Sequence, residues 1–214
     1  MAPKTISRRS VLTLVLLLLV SAIFIPYYSV SADPLTDTPV VPSFASFVQT
    51  VSNGNGATLR GVYAADAFAS PIVQQPAGNA GYVSIQLNVV TQFRMASDYG
   101  TIGLLAHNNL GGQYFALLMP GKRIQVVYGD GRIEYFKVTN IFRYQATSPY
   151  SMNSDFVDLD THQYLTANDL FHKVYTGGRH ITFQTCIESN GNSSWGRLFV
   201  IAEPETLFLP SNLY

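Results

Sequence analysis

The chain has 214 residues, enough for one domain with a sizeable apolar core that needs no disulfide or metal to support it. Only 12% of the residues are charged, and 13 basic side chains balance 13 acidic ones. A nucleic-acid-binding protein would carry a basic surface, so this balance argues against that class. The single cysteine excludes a disulfide within the chain.

Residues 1–32 are predicted to be an export segment. Basic residues between positions 4 and 9 precede a nearly unbroken apolar run over 11–25. This run is shorter than the roughly 20 residues of a membrane-spanning helix, and the small residues at 30–32 suit a signal peptidase. The segment is therefore either a cleaved signal peptide or an uncleaved N-terminal membrane anchor. Both interpretations place the rest of the chain outside the cytoplasm, secreted or anchored to the membrane.

The remaining sequence divides into a linker and one domain. Residues 33–43 are polar and rich in proline, which is typical of a linker. Alternating apolar residues begin directly afterwards, so residues 44–214 are predicted to form the folded domain.

The first half of the domain contains several short predicted elements. The apolar residues within 44–51 fit either a helix or a strand. Alternation predicts strands over 59–63 and 82–87, and a continuous apolar run predicts a buried strand over 101–106.

The second half contains the clearest pattern, a hairpin over 123–141 that turns at a Gly-Asp-Gly sequence. Residues 166–171 are predicted to form a single helical turn. Strands are predicted over 181–183 and 198–202, and a polar loop over 188–196 is expected between them. Short strands, frequent turn residues and few helices predict an all-β barrel or sandwich.

Cys186 is the first candidate for a catalytic residue. An unpaired cysteine in an exported protein is either a small buried hydrophobe or a reactive thiol. Cys186 ends a predicted strand and begins the polar loop, a position where a rigid scaffold commonly holds a functional group. His107 also ends an apolar run, and Arg197 begins the strand after the loop. A nucleophile, a base and a permanent cation are therefore all expected at strand ends.

The sequence around these three residues resembles that of sortases, a family of cysteine transpeptidases. Residues 182–186 (TFQTC) are similar to the family's T-L-x-T-C signature, with phenylalanine in place of leucine. Arg197 follows at the family's short spacing and begins an apolar strand. Residues 103–108 (GLLAHN) resemble the strand that carries the sortase histidine, with alanine where glycine is commonest. The resemblance covers about 59–202 in the right order.

This resemblance implies a closed β-barrel of about eight strands with short helices in the connections. It implies that Cys186 is the nucleophile, His107 the acid and base, and Arg197 the cation beside the oxyanion. Thr185 is expected to help bind the substrate. The thiolate would attack a carbonyl in the sorting signal of a secreted protein, form a thioacyl enzyme and pass the acyl group to an amine. That amine belongs to a cell-wall precursor or to a protein subunit.

Two other functions stay open from the sequence. The first is a hydrolytic cysteine peptidase on the same fold, which releases its substrate to water. The second is a secreted barrel that binds other surface components without catalysis.

We expect neither a metal ion nor another cofactor. The remaining histidines, His162, His172 and His180, stand in polar surroundings and are predicted to be solvated. Their spacing does not match a zinc-ligand pair. Calcium needs six or more oxygen ligands, so four acidic residues are interpreted as solvated surface groups. They are Asp98, Asp155, Asp158 and Asp160.

Overall fold

The structure, a computed structural model, describes residues 41–151 and 153–205. The predicted export segment at 1–32 and most of the predicted linker at 33–43 lie outside the described residues. Within the described ranges, no helix is both long enough and apolar enough to cross a membrane.

Strands dominate the described residues, with short helices in the connections. In chain order, the elements are α1 (Phe44–Val51), β1 (Leu59–Ala64), β2 (Phe68–Gln74), β3 (Val90–Phe93), α2 (Arg94–Ser97), β4 (Ile102–Leu105), a 3₁₀ helix (Gly111–Leu117), β5 (Arg123–Tyr128), β6 (Ile133–Ala146), β7 (Phe156–Asp158), β8 (Tyr164–Leu165), α3 (Ala167–Tyr175), β9 (Ile181–Ser189) and β10 (Asn192–Pro204).

Eight of these strands close into a barrel. The hydrogen-bonded order is β10-β9-β4-β3-β2-β1-β5-β6, and β6 pairs in turn with β10. Strands β7 and β8 extend the sheet outward from β6. Most neighbours are antiparallel, but β2 and β3, and β4 and β9, run parallel. The predicted fold class, an all-β closed barrel of about eight strands with short helices in connections, is confirmed.

The interior of the barrel is filled by large apolar side chains. Phe68, Phe115 and Phe183 are fully buried and contact one another at ring distances of 5.1 to 6.3 Å. Each buried side chain of this size contributes about 1.5–3 kcal/mol to folding through the removal of apolar surface from water. A second cluster lies on the outside of the barrel wall, where α3 packs Val174 and Tyr175 against Phe199 of β10. This outer cluster forms one wall of the candidate site.

The hairpin predicted over 123–141 is confirmed. Strands β5 and β6 pair in antiparallel register, with Val127 opposite Ile133. Gly131 has φ of +86°, a conformation that its missing Cβ makes accessible. Strands β1 and β4 confirm the predicted strands at 59–63 and 101–106.

The strand predicted at 82–87 is wrong. In this segment, Ser84 donates its backbone N–H to the Thr91 hydroxyl at 2.8 Å instead of joining a ladder. Ile85 and Leu87 are 83% and 72% exposed, so the alternation does not mark a buried face. The segment belongs to the connection between the parallel strands β2 and β3, and parallel neighbours need a long crossover.

The first apolar segment is a helix, which settles the choice between helix and strand at 44–51. The Ser43 hydroxyl accepts a hydrogen bond from the backbone N–H of Ser46 at 3.3 Å and caps α1. Phe47 and Val51, four residues apart, are buried on one helix face against the barrel.

The single helical turn predicted over 166–171 is shorter than the helix observed there, α3. The Thr166 hydroxyl accepts from the backbone N–H of Asp169 and caps α3, which continues for nine residues and not for a single turn. Leu170 and Val174 lie four residues apart on its buried face. Packing of this face on the barrel therefore extends the helix beyond its first turn.

Candidate active site

Cys186 lies within a strand and not at its end. Strand β9 runs on to Ser189 and turns at Asn190 and Gly191, which have φ of +51° and +74°. The polar loop predicted at 188–196 is therefore wrong, because most of it belongs to β9 and β10. An Asn-Gly pair is a strong signal for a two-residue hairpin turn, so the sequence did contain the information.

Strand pairing places a residue of interest on each side of Cys186. Arg197 of β10 is directly opposite Cys186 in the antiparallel register. On the other side, Leu105 of β4 pairs in parallel with Gln184 of β9. Two residues beyond this pair, along the two chains, are His107 and Cys186. Since adjacent strands lie about 4.8 Å apart, this topology brings together residues that are far apart in sequence.

One groove on the outer face of the barrel contains all four predicted site residues. It has a volume of about 370 Å³ and is lined by His107, Thr185, Cys186 and Arg197. Most of the other lining residues are apolar or aromatic, and none of those described is Asp or Glu. The groove therefore combines an apolar binding surface with a thiol, an imidazole and a guanidinium.

Arg197 is held in place by carbonyl groups. Its Nη1 donates to the backbone oxygens of Ser194 at 2.9 Å and Gly196 at 2.8 Å, and its Nη2 donates to that of Pro149 at 3.4 Å. No salt bridge formed within 41–151 and 153–205 includes Arg197. The guanidinium is thus oriented but not neutralised, and it can stabilise negative charge in the groove.

Gly112 is a site-shaping residue that sequence reasoning missed. Its N–H donates to the His107 carbonyl at 2.9 Å, which ties the 3₁₀ helix to the turn after β4. A Cβ at position 112 would lie 2.2 Å from Thr185 Oγ1, 2.7 Å from the His107 carbonyl oxygen and 2.8 Å from that of Ala106. Only glycine allows this close approach. The adjacent glycines at 111 and 112 were the signal in the sequence.

Gly112→Ala is expected to destabilise the protein by about 1–3 kcal/mol, because two of the three close atoms belong to the backbone and the chain must move. Urea unfolding followed by Trp195 fluorescence measures the change. The matched control is Asn109→Ala, an exposed position in the same turn, which is expected to change stability by less than about 0.5 kcal/mol. Equal stabilities for the two variants would contradict the packing described.

Two of the three remaining histidines are exposed, as predicted, and the third is not. His162 and His172 are exposed, but His180 is only 8% exposed. Its ring nitrogens lie 2.9 Å from the carbonyl oxygens of Gly178 and Val174. The prediction that His180 is solvated is wrong because the loop around it folds beneath the end of α3. His180 therefore joins the end of α3 to the start of β9.

One of the four acidic residues is also buried, contrary to the prediction. Asp158 is 5% exposed, and its Oδ1 accepts the backbone N–H groups of Asp160 and Thr161, both at 2.9 Å. This carboxylate stabilises the turn after β7. Among the described residues, no group of three or more His, Cys, Asp or Glu side chains is placed to hold a metal ion.

The groove wall formed by α3 was not predicted either. Tyr175 is 3% exposed, and its hydroxyl donates to Oε1 of Gln184 at 2.5 Å. Burial raises the pKa of the Tyr175 phenol well above its ordinary value, so the hydroxyl stays protonated. Gln184 and Cys186 are two residues apart on β9 and therefore share one face of the strand.

No protein-family model matches the chain, and neither does any curated protein. Solved structures similar to it include the SrtA sortase from Actinomyces oris, with 18% identity over 79% of this chain and 87% of that chain, and a TM-score of 0.45. Another is sortase E1 from Streptomyces coelicolor with a tripeptide in the active site, with 19% identity, coverage of 72% and 91%, and a TM-score of 0.44.

A third is sortase A from Listeria monocytogenes, with 12% identity over 72% of this chain and 89% of that chain, and a TM-score of 0.43. All three are members of the family that the sequence resembles.

Proposed function

We propose that this chain is a sortase-type cysteine transpeptidase. The observation that carries the proposal is the strand arrangement that brings His107 and Arg197 to either side of Cys186 in one apolar groove. A structural protein has no need of a thiol, an imidazole and an un-neutralised guanidinium at one point on its surface.

In the first step, the Cys186 thiolate attacks the carbonyl carbon of a peptide bond in the sorting signal. A bond forms between Sγ and that carbon, and the carbonyl oxygen becomes an oxyanion. Arg197 stabilises this negative charge. His107 then gives a proton to the departing amine as the C–N bond breaks, which leaves a thioacyl enzyme.

In the second step, an amine attacks the thioester. His107 accepts a proton from the amine, the new C–N bond forms, and the Cys186 thiolate leaves. The apolar lining of the groove supports this outcome because it limits access of water to the thioester. The acceptor amine belongs to a cell-wall precursor or to a protein subunit, and the acyl donor is an exported protein. The reaction takes place outside the cytoplasm, on a secreted enzyme or on one anchored through residues 1–32.

Product analysis distinguishes transpeptidation from hydrolysis. Purified protein comprising residues 33–214 is incubated with a library of sorting-signal-like peptides, with and without an amine such as triglycine. Mass spectrometry of the products is expected to show a new amide that contains the amine. Cleaved peptides that end in a free carboxylate, in equal amount with and without the amine, would instead favour the hydrolytic peptidase.

Arg197→Ala is expected to lower the acylation rate by about 10²–10³-fold, as the loss of one oxyanion donor commonly does. Arg197→Lys keeps the charge but not the donor geometry, so an intermediate loss is expected. Acylation rates by stopped reaction and mass spectrometry measure both changes. Arg143→Ala is the matched control, since Arg143 is an exposed arginine on β6 that forms a salt bridge with Asp160 outside the groove. Equal rates in the Arg197 and Arg143 variants would contradict the role assigned to Arg197.

A further inference from the structure

A polar pair stands in the otherwise apolar wall of the groove. Tyr175 is packed among three aromatic rings, with centroid distances of 5.2 Å to Phe93, 5.3 Å to Phe171 and 6.4 Å to Phe199. Its hydroxyl donates to Oε1 of Gln184. Both residues line the groove together with Cys186.

The hydrogen bond with Tyr175 fixes the orientation of the Gln184 carboxamide. The protonated phenol must donate, and Oε1 accepts. A reversed amide would leave the phenol proton without an acceptor among the described residues. The amide nitrogen, Nε2, therefore faces away from Tyr175. Within 41–151 and 153–205, no protein group accepts a hydrogen bond from Nε2.

A free amide donor in an apolar groove has a function beyond packing. If the wall served packing alone, a phenylalanine and an aliphatic residue at these two positions would fill the same space with no polar atoms. The pair instead orients two N–H groups beside the nucleophile. Gln184 is half-buried, so water reaches these N–H groups in the free protein. A peptide that displaces this water from the mostly apolar groove must supply an acceptor or leave the donor unpaired.

We propose that Gln184 binds the substrate by donating from Nε2 to a hydrogen-bond acceptor in its acyl part. This inference rests on the proposed function. Gln184 and Cys186 are two residues apart on a strand, about 6.7 Å, which is also the span of about two residues of an extended peptide. The acceptor therefore lies about two residues from the cleaved bond. It is either a backbone carbonyl or a polar side chain, and Tyr175 acts as a positioning residue.

Two variants test the donor without leaving the Tyr175 hydroxyl unpaired. Gln184→Glu retains an oxygen that accepts from Tyr175 but replaces the N–H donors with a second acceptor. The double variant Tyr175→Phe and Gln184→Met removes the polar pair and leaves an apolar wall of similar size. For peptides that acylate the wild type and carry the acceptor, the double variant is expected to lower kcat/KM about three- to tenfold, mainly through KM. Gln184→Glu is expected to lower it further.

The loss of kcat/KM, compared across the peptides, distinguishes a backbone acceptor from a side-chain acceptor. Equal losses for all peptides identify a backbone carbonyl. Losses confined to peptides with a hydroxyl, amide or carboxylate at one position identify a side chain. The rate at which iodoacetamide alkylates Cys186 depends on the thiol and not on peptide binding. If a Gln184 variant lowers this alkylation rate as much as it lowers the rate of acylation by peptides, the binding role of Gln184 is overturned.

The inference and the proposed function fail in different ways. If the wild type is acylated and both variants match its kcat/KM with every peptide, Gln184 does not bind the substrate through a hydrogen bond. Only the inference is then overturned. If no peptide acylates the wild type, the proposed function fails and the inference fails with it. The affinity of a fluorescent peptide for Cys186→Ala gives a second measurement that does not depend on turnover. The double variant Cys186→Ala and Gln184→Glu is expected to bind this peptide more weakly.

Discussion

Cys186→Ala is expected to abolish acyl transfer, with the rate falling by about 10⁴-fold or more, because no other group on the described part of the groove replaces a nucleophilic thiolate. The substitution removes one sulfur atom from a half-buried position, so the fold is expected to persist. Peptide cleavage and amide formation, both read by mass spectrometry, measure the loss.

Cys186→Ser is the control that keeps a side chain of similar size at this position. It restores a nucleophilic atom of similar size, but a hydroxyl ionises far less readily than a thiol, and this variant is also expected to be almost inactive. Full activity in either variant would mean that a different residue forms the covalent bond. Unchanged peptide binding together with lost turnover would locate the defect in the chemical step.

His107→Ala is expected to lower the rate of acylation by about 10²–10⁴-fold, since a positioned acid and base typically contributes this much. The imidazole is expected to assist both the formation of the thiolate and the departure of the amine. Added imidazole that enters the groove is therefore expected to restore part of the rate. Initial rates with and without added imidazole measure both effects.

His162→Asn is the matched control for His107. His162 is exposed, lies outside the groove and has φ of +59°, a conformation that asparagine adopts readily. We expect this variant to keep the wild-type rate and to gain nothing from imidazole. A wild-type rate in His107→Ala would remove His107 from the mechanism, whatever the control shows.

Local patterns predicted an all-β barrel or sandwich and the hairpin of β5 and β6, whereas the closed barrel of about eight strands was expected only from the family resemblance. The Asp-Gly turn requires positive φ, and the flanking alternation marks two half-buried strands. The same reasoning failed at 82–87, where Ile85 and Leu87 alternate with polar residues but lie exposed. Alternation describes a strand only when a partner strand exists, and both edges of β2 are already paired, with β1 and with β3.

The residues of the site were predicted from local motifs, but most of their contacts depend on packing between distant segments. His107, Cys186 and Arg197 were identified through the resemblance of their local motifs, and the structure places all three in one groove. The adjacency of Arg197 and Cys186 comes from the hairpin of β9 and β10. That of His107 and Cys186 depends on the parallel pairing of β4 with β9, which joins segments far apart in the chain and has no local signal. The contact between Tyr175 and Gln184 depends on how α3 packs on the barrel, so it could not be predicted from either segment alone.

The most direct test of the central claim is the intact mass of the enzyme during turnover. Residues 33–214, as wild type and as Cys186→Ala, are mixed with the peptide library, quenched in acid and weighed by mass spectrometry. We predict a covalent adduct, equal in mass to the acyl part of a peptide, on the wild type alone, and its disappearance into an amide product when triglycine is added. A library that leaves the wild-type mass unchanged, while iodoacetamide fails to reach Cys186, would contradict the account.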